Sequence, residues 1–198
     1  DIAAAYDLAG YGAEVVPGLV ETLTAEAEMT RRNAAYALSA IGAPAVDALI
    51  DTLGHDQADT RTDAATTLGD IAVAATDALP ALITASRDPH EDVRKAAAEA
   101  LGIIGQSSPE VVPALIDAVG DEHAGVRTAA VFALCRLGPH AAEAVAALEG
   151  VLDDDNRYIR GDALHALQRI DTPLAKDTLI KHLMPARWCP ITTPESTF

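Results

Sequence analysis

The chain repeats itself, and the length of the repeat restricts its fold more than any other feature. Five segments align without gaps: TRRNAAYALSAIG (30–42), TRTDAATTLGDIA (60–72), VRKAAAEALGIIG (93–105), VRTAAVFALCRLG (126–138) and IRGDALHALQRID (159–171). DIAAAYDLAGYG (1–12) fits the same register, with Leu8 in phase with Leu38. The period is 30 residues for the first two steps and 33 for the next three. A period of this size belongs to solenoids and arrays, in which each unit buries its faces against its neighbours.

Each copy reads as a helix. In the fourth, Val93, Ala97, Leu101 and Ile104 recur at intervals of four, four and three, the apolar stripe of one helical face. A glycine follows the stripe at Gly12, Gly42, Gly105 and Gly138, where a left-handed helix cap is expected. A second helix then follows in each unit: VVPGLVETL, AVDALIDTL, ALPALITAS, VVPALIDAV, AVAALEGVL and AKDTLIKHL. Pro44, Pro109, Pro139 and Pro173 stand where these helices begin, a position that does not need the missing N–H. Pro17, Pro80 and Pro113 come about one turn later and are expected to kink them. A two-helix unit this short cannot bury both faces alone, so the units must stack. The expected fold is all-α: a right-handed solenoid of antiparallel helix pairs over residues 1–183, about six repeats with the first truncated.

Composition agrees with stacked helices. Hydrophobic residues make up 49% of the chain but aromatic residues only 4%, and alanine is the largest single contributor to the difference. Small side chains favour close helix packing. No run of eighteen apolar residues occurs, so no membrane insertion is expected. The N-terminal residues lack the pattern of a signal peptide, and a cytoplasmic location is the expectation. The formal net charge is −16, and lysine occurs only as Lys95, Lys176 and Lys181. Such a surface repels phosphate backbones, which argues against nucleic acid as a partner. It serves solubility or a basic partner. Cys135 and Cys189 form neither a disulfide framework nor a zinc site.

The repeated segments resemble the HEAT family, in its short bacterial form. The shared pattern is a proline-bearing outer helix, an acidic loop, and V-R-x-x-A-A-x-x-L-G on an inner helix. The resemblance implies a hydrogen-bonded ladder between units, built from Asp88 and Arg94, Asp121 and Arg127, and Asp154 and Arg160. Arg31 and Arg61 are present in the two earlier copies, but Ala25 and His55 replace the aspartate, so a weaker ladder is expected there.

Catalytic constellations are missing from the sequence. Deoxyhypusine hydroxylase, built from similar repeats, carries iron-binding His-Glu pairs after the Val-Arg of its inner helices. The matching positions here are Lys95-Ala96, Thr128-Ala129 and Gly161-Asp162. His90-Glu91-Asp92 spells an H-x-D but lies in an inter-helix loop, and the sister loop places His123 at the same point. Asp153-Asp154-Asp155-Asn156 lacks the spaced ligands and glycine of a calcium loop. The recurring loop acids are expected to cap helix N-termini and complement the helix dipole. No nucleophile elbow or phosphate loop is present, so no catalytic residue, metal or cofactor is expected.

One column stands out. Six residues beyond the Val position of each inner helix lie Tyr6, Tyr36, Thr66, Glu99, Phe132 and His165. Three of the chain's few aromatic residues fall in it, at a position that is commonly polar in the family. Stacking turns the column into a stripe on the concave face. Asn33, Asp63, Asp162, Asp70, Arg136 and Arg169 flank it. An aromatic stripe with a polar rim suits a protein or peptide partner. The alternative is that the rings fill gaps between inner helices of uneven twist.

Residues 184–198 leave the repeat. Pro185, Pro190 and Pro194 are expected to forbid a continued helix, and Trp188 is expected to cover the last repeat. The expected function is a non-catalytic protein-binding scaffold. Two alternatives come from resemblance: a phycobilin lyase-type or chaperone-type subunit, or an accessory array from a larger oxygenase-type enzyme.

Overall fold

The computed structural model describes Asp7 and residues 10–187. Its helices follow one another as α1 (Val16–Thr22), α2 (Glu28–Ile41), α3 (Val46–Thr52), α4 (Ala58–Ile71), α5 (Leu79–Ala85), α6 (Glu91–Ile104), α7 (Val112–Val119), α8 (Ala124–Leu137), α9 (Val145–Gly150), α10 (Arg157–Ile170) and α11 (Pro173–Arg187). Among the described residues no strand occurs. The even-numbered helices form an inner row, each helix packing on the next, and the odd-numbered helices form an outer row laid against it. The fold is therefore an α-solenoid of stacked helix pairs.

The core is the seam between the rows. Leu38, Leu68, Leu101, Leu134 and Leu167 supply one column from the inner helices, and all are fully buried. Leu49, Leu82, Leu115 and Leu148 supply the facing column from the outer helices, also fully buried. Truncating such a leucine to alanine costs about 2–5 kcal/mol. Alanines fill the space between the two columns and let inner helices approach one another closely. A Cβ on Gly102 would lie 2.6 Å from the Cα of Ala133, and one on Gly69 would lie 3.4 Å from the Cα of Ala100.

The prolines sit differently from expectation. Pro17, Pro80 and Pro113 occupy the first turn of α1, α5 and α7, where no intrahelical donor is lost. They therefore do not kink those helices. A 3-10 turn precedes each of the three (Gly12–Val15, Ala72–Ala78, Pro109–Val111), and in the second the backbone leaves helical values at Ala75 (φ −101°, ψ 23°). Nor does Pro185 end the last helix, whose backbone stays helical to Arg187. The rest of the C-terminal segment, including Trp188 and its expected capping role, lies outside the described residues.

The glycines after the inner helices divide into two kinds. Gly12, Gly42 and Gly138 have positive φ, at 63°, 76° and 54°. Gly105 does not, with φ at −82°. Its small size matters for another reason: an added Cβ would lie 2.8 Å from a methyl of Val111. In the units without glycine, Ala72 (φ 58°) and Asp171 (φ 55°) take up the positive-φ position themselves.

Along one edge runs a ladder of charged hydrogen bonds. The Arg94 Nη1 donates to the carbonyl oxygen of Asp88 in its own loop, at 3.0 Å. Its Nε and Nη2 fork onto both carboxylate oxygens of Asp121 in the next unit, at 2.7 and 3.0 Å. Arg127 repeats the pattern on Asp121 and Asp154. Arg61 makes the same fork onto Asp88, at 2.7 and 2.8 Å. The ladder is therefore not weakened at Arg61, because the aspartate that matters belongs to the following unit. The Arg31 rung departs, turning instead to Asp63 and Asp59. Arg160 clamps the Asp154 carbonyl of its own loop. These aspartates also accept from the N–H two residues on, as at His90, His123 and Asn156. They order the turn rather than cap the helix; N-cap side chains that do accept include His90, Asn156 and Thr172.

Two stretches, Ala58–Ala85 and Ala124–Asp153, are apolar enough in aggregate to resemble membrane spans. Each is an inner and an outer helix folded back across a positive-φ residue, Ala72 or Gly138. The longest straight piece is 14 residues, about 21 Å, short of the ~30 Å hydrocarbon core of a bilayer.

Candidate functional site

The inner helices turn one face to the core and leave the opposite face open. Residues four apart on that open face are neighbours, so each inner helix contributes a short ridge and the stack contributes parallel ridges. Thr66, Glu99 and His165 are exposed there, as are Arg136 and Arg169. Tyr36 is 41% exposed and Phe132 51%. Tyr6, the remaining residue of the column, lies outside the described residues. About half of each ring therefore faces outward from the open face.

Two clefts open between these ridges. The first, about 250 Å³, lies across α2, α4 and α6 and is lined by Glu28, Arg31, Asp59, Thr62, Asp63, Thr66, Asp92, Lys95, Ala96 and Glu99. The second, about 500 Å³, lies between α6 and α8, with Ile103, Gly125, Ala129, Phe132 and Ala133 as its apolar wall and Lys95, Glu99, Thr128 and Arg136 at its rim. Lys95 and Glu99 belong to both, so the clefts are two compartments of one groove. The apolar compartment exists because α8 carries Gly125, Thr128, Ala129 and Ala133 around Phe132, with Arg136 turned to the rim.

The first compartment carries five carboxylates against two cations. Arg31 is spent on Asp63 (2.9 Å) and Asp59 (3.1 Å). Even so, burial pushes the Asp63 carboxyl above its ordinary range against the pull of Arg31. In the second compartment Arg136 is tied down, its Nε donating to the Gly102 carbonyl oxygen at 3.2 Å. At the far end of the column, His165 Nδ1 lies 3.8 Å from the Cys135 sulfur on the neighbouring helix. Burial pushes the Cys135 thiol up, away from the thiolate a nucleophile needs.

Flanking residues separate in the same way. Asp63 and Arg136 line the groove; Asn33 and Asp162 are half-buried beside it, and Asp70 and Arg169 are exposed. Lys95, Thr62 and Thr128, four residues before the column, line the clefts but escaped attention as sequence. The signal was there: i and i+4 share a helix face, so each column implies another one turn away. His90 and His123 sit on the loop edge, where the His90 ring accepts from the Asp92 N–H and the His123 ring faces Arg94. Among the described residues no group of three His, Cys, Asp or Glu side chains could hold a metal ion.

Solved structures with this architecture include several helical-repeat proteins. The complex of CpcE and CpcF of phycocyanin lyase from Nostoc sp. PCC7120 shares 24% identity, with a TM-score of 0.70 over 77% of this chain and 98% of that one. A designed armadillo repeat protein in complex with the peptide (KR)4 shares 19%, with a TM-score of 0.62 over 86% and 91%. A homology model of the full-length AP-3 complex in an intermediate open conformation shares 20%, with a TM-score of 0.76 over 94% of this chain and 37% of that one. At these identities the likeness shows the fold. No curated protein sequence matches the chain. The HEAT repeats family matches residues 1–69, 46–135 and 112–187, and the chain belongs to that family.

Proposed function

We propose that the chain is a non-catalytic scaffold that holds an extended segment of a partner protein along its concave, inner-helix face. The observation that carries this reading is the exposure of Tyr36 and Phe132 on one open face, beside two clefts that share Lys95 and Glu99. Exposed aromatic side chains with a polar rim are the usual anchors of a protein interface. The architecture suits the role, since a designed armadillo repeat protein of the same fold is solved with a bound peptide.

The test is a pair of variants read two ways. Tyr36→Ala and Phe132→Ala should change stability by about 0.5 kcal/mol or less, because both rings are well exposed. Each should abolish, or weaken by about 2 kcal/mol or more, capture of the partner from a lysate of the source organism. Capture that survives both substitutions would remove the concave face from the reading. The likeness to the CpcE–CpcF complex supports a second reading, a lyase-type or chaperone-type subunit acting on a tetrapyrrole protein. That reading expects the captured partner to carry a bilin, visible as absorbance in the visible range.

A further inference from the structure

We infer that the segment held in this groove is a short extended peptide with one bulky apolar side chain and, about four residues away, a cluster of Lys or Arg. The inference rests on the concave-face reading above and adds the chemistry and spacing of the occupant. The apolar end is set by Phe132, Ile103, Ala129 and Ala133, a wall that water covers poorly. Arg136 is held against the Gly102 carbonyl. The cationic end is set by the adjoining compartment, where five carboxylates face two cations and Arg31 is already paired twice. Electrostatic complementarity then selects a basic segment there and rejects an acidic one.

The spacing follows from the stack. The acidic compartment centres on α4, and the apolar one lies midway between α6 and α8. They are one and a half inner-helix steps apart, about 12–15 Å at 8–10 Å per step. An extended chain advances about 3.3 Å per residue, so about four residues separate the two anchors. A tightly folded ligand would reach only one compartment.

The experiment uses the full chain and short fluorescein-labelled peptides, read by fluorescence anisotropy. The first peptide carries one leucine and a Lys-Arg pair about four residues apart; the second replaces the pair with Glu-Glu; the third moves the pair next to the leucine. The first should bind at least about 10-fold more tightly than either of the others, and its affinity should fall as salt is raised. Phe132→Ala should weaken it about 30-fold, the equivalent of about 2 kcal/mol. Asp92→Asn with Glu99→Gln should weaken it and flatten its salt dependence, with the melting temperature of each variant showing that the fold is kept.

Equal binding of the Glu-Glu peptide, or of the closely spaced one, would overturn the chemistry or the spacing and leave the groove intact. Absence of binding by all three, with lysate capture still sensitive to Phe132→Ala, would likewise overturn the basic–apolar occupant alone. Peptide binding insensitive to Phe132→Ala, with lysate capture equally insensitive, would overturn the groove itself.

Discussion

At the scale of single residues, what holds the units together is geometry more than charge. Asp121 accepts three hydrogen bonds, two from Arg94 and one from the His123 N–H, with a side chain only 11% exposed. Asp121→Ala strands the Arg94 fork and should cost about 1–3 kcal/mol. Asp56→Ala, at an exposed loop carboxylate outside the rungs, should cost about 0.5 kcal/mol or less. Equal losses in thermal unfolding would show that the fork contributes nothing. The acid limb follows from the same contacts. The Arg94 hydrogen bond holds the Asp121 carboxyl below its ordinary value, and Arg127 does so for Asp154. As pH falls, the unfolded chain therefore takes up the proton first. The stabilisation is complete above about pH 4 and is lost as pH drops through the lower folded-state values. Asp121→Asn should lower stability at neutral pH and flatten that acid loss by the same amount. A second residue-scale prediction concerns Ala72, whose φ of 58° and ψ of −131° repeat the backbone of Gly42 and Gly138. An L-residue held there is strained by about 1–3 kcal/mol. Ala72→Gly relieves that strain and adds unfolded-state entropy of about 0.5–1 kcal/mol. The melting temperature should rise by a few degrees, and a fall would show that the strain is not present.

At the scale of helices, the two helices of each unit were legible from periodicity, and which row is inner from the HEAT resemblance: Val93, Ala97, Leu101 and Ile104 share a stripe, and all four are buried. Three things were not legible, each for a physical reason. A glycine in the sequence does not say whether it serves a positive φ, as Gly138 does, or a close approach, as Gly105 does against Val111. A proline in a helical pattern does not say where the first turn starts, so Pro17, Pro80 and Pro113 read as kinks although they stand at helix starts. Asp88 and Arg94, six apart, read as partners, yet Arg94 uses only the Asp88 carbonyl and spends its fork 27 residues on. Of the site, the aromatic column and the recurring loop acids were legible, but not the cleft in which Glu28, Asp59 and Asp92 join Asp63 and Glu99, since they come from three units and meet only after stacking. The helix-scale prediction is Gly102→Ala. Its new Cβ would press on the Ala133 backbone, which cannot rotate away as a side chain can. Forcing α6 and α8 apart should cost about 1–3 kcal/mol. Because Ala133 also walls the apolar compartment, the same change should weaken binding of a leucine-bearing peptide. Gly150→Ala, which meets nothing within 4 Å and sits at helical φ and ψ, is the control: it should raise stability by about 0.4–1 kcal/mol and leave binding unchanged.

At the scale of the whole molecule, two electrostatic effects run in opposite directions, and salt separates them. The formal charge of −16 is spread over a one-dimensional stack, so exposed acids on successive units repel one another. The rungs that oppose this repulsion are largely sheltered: the carboxylates of Asp88, Asp121 and Asp154 are only 10%, 11% and 7% exposed. Raising salt from about 0.01 M to about 1 M shortens the Debye length from about 30 Å to about 3 Å. That change removes the long-range repulsion and leaves pairs in direct contact mostly intact. The melting temperature at neutral pH should therefore rise with sodium chloride, because the repulsion is screened more than the rungs are. Affinity for a basic peptide should fall over the same range, because its attraction to Asp92 and Glu99 acts through solvent at an exposed groove. Opposite signs in the two titrations, on the same protein, are the outcome this charge distribution requires. A melting temperature that falls with salt would mean that exposed ion pairs, such as Arg87 with Asp117 or Lys181 with Glu149, hold the array together instead.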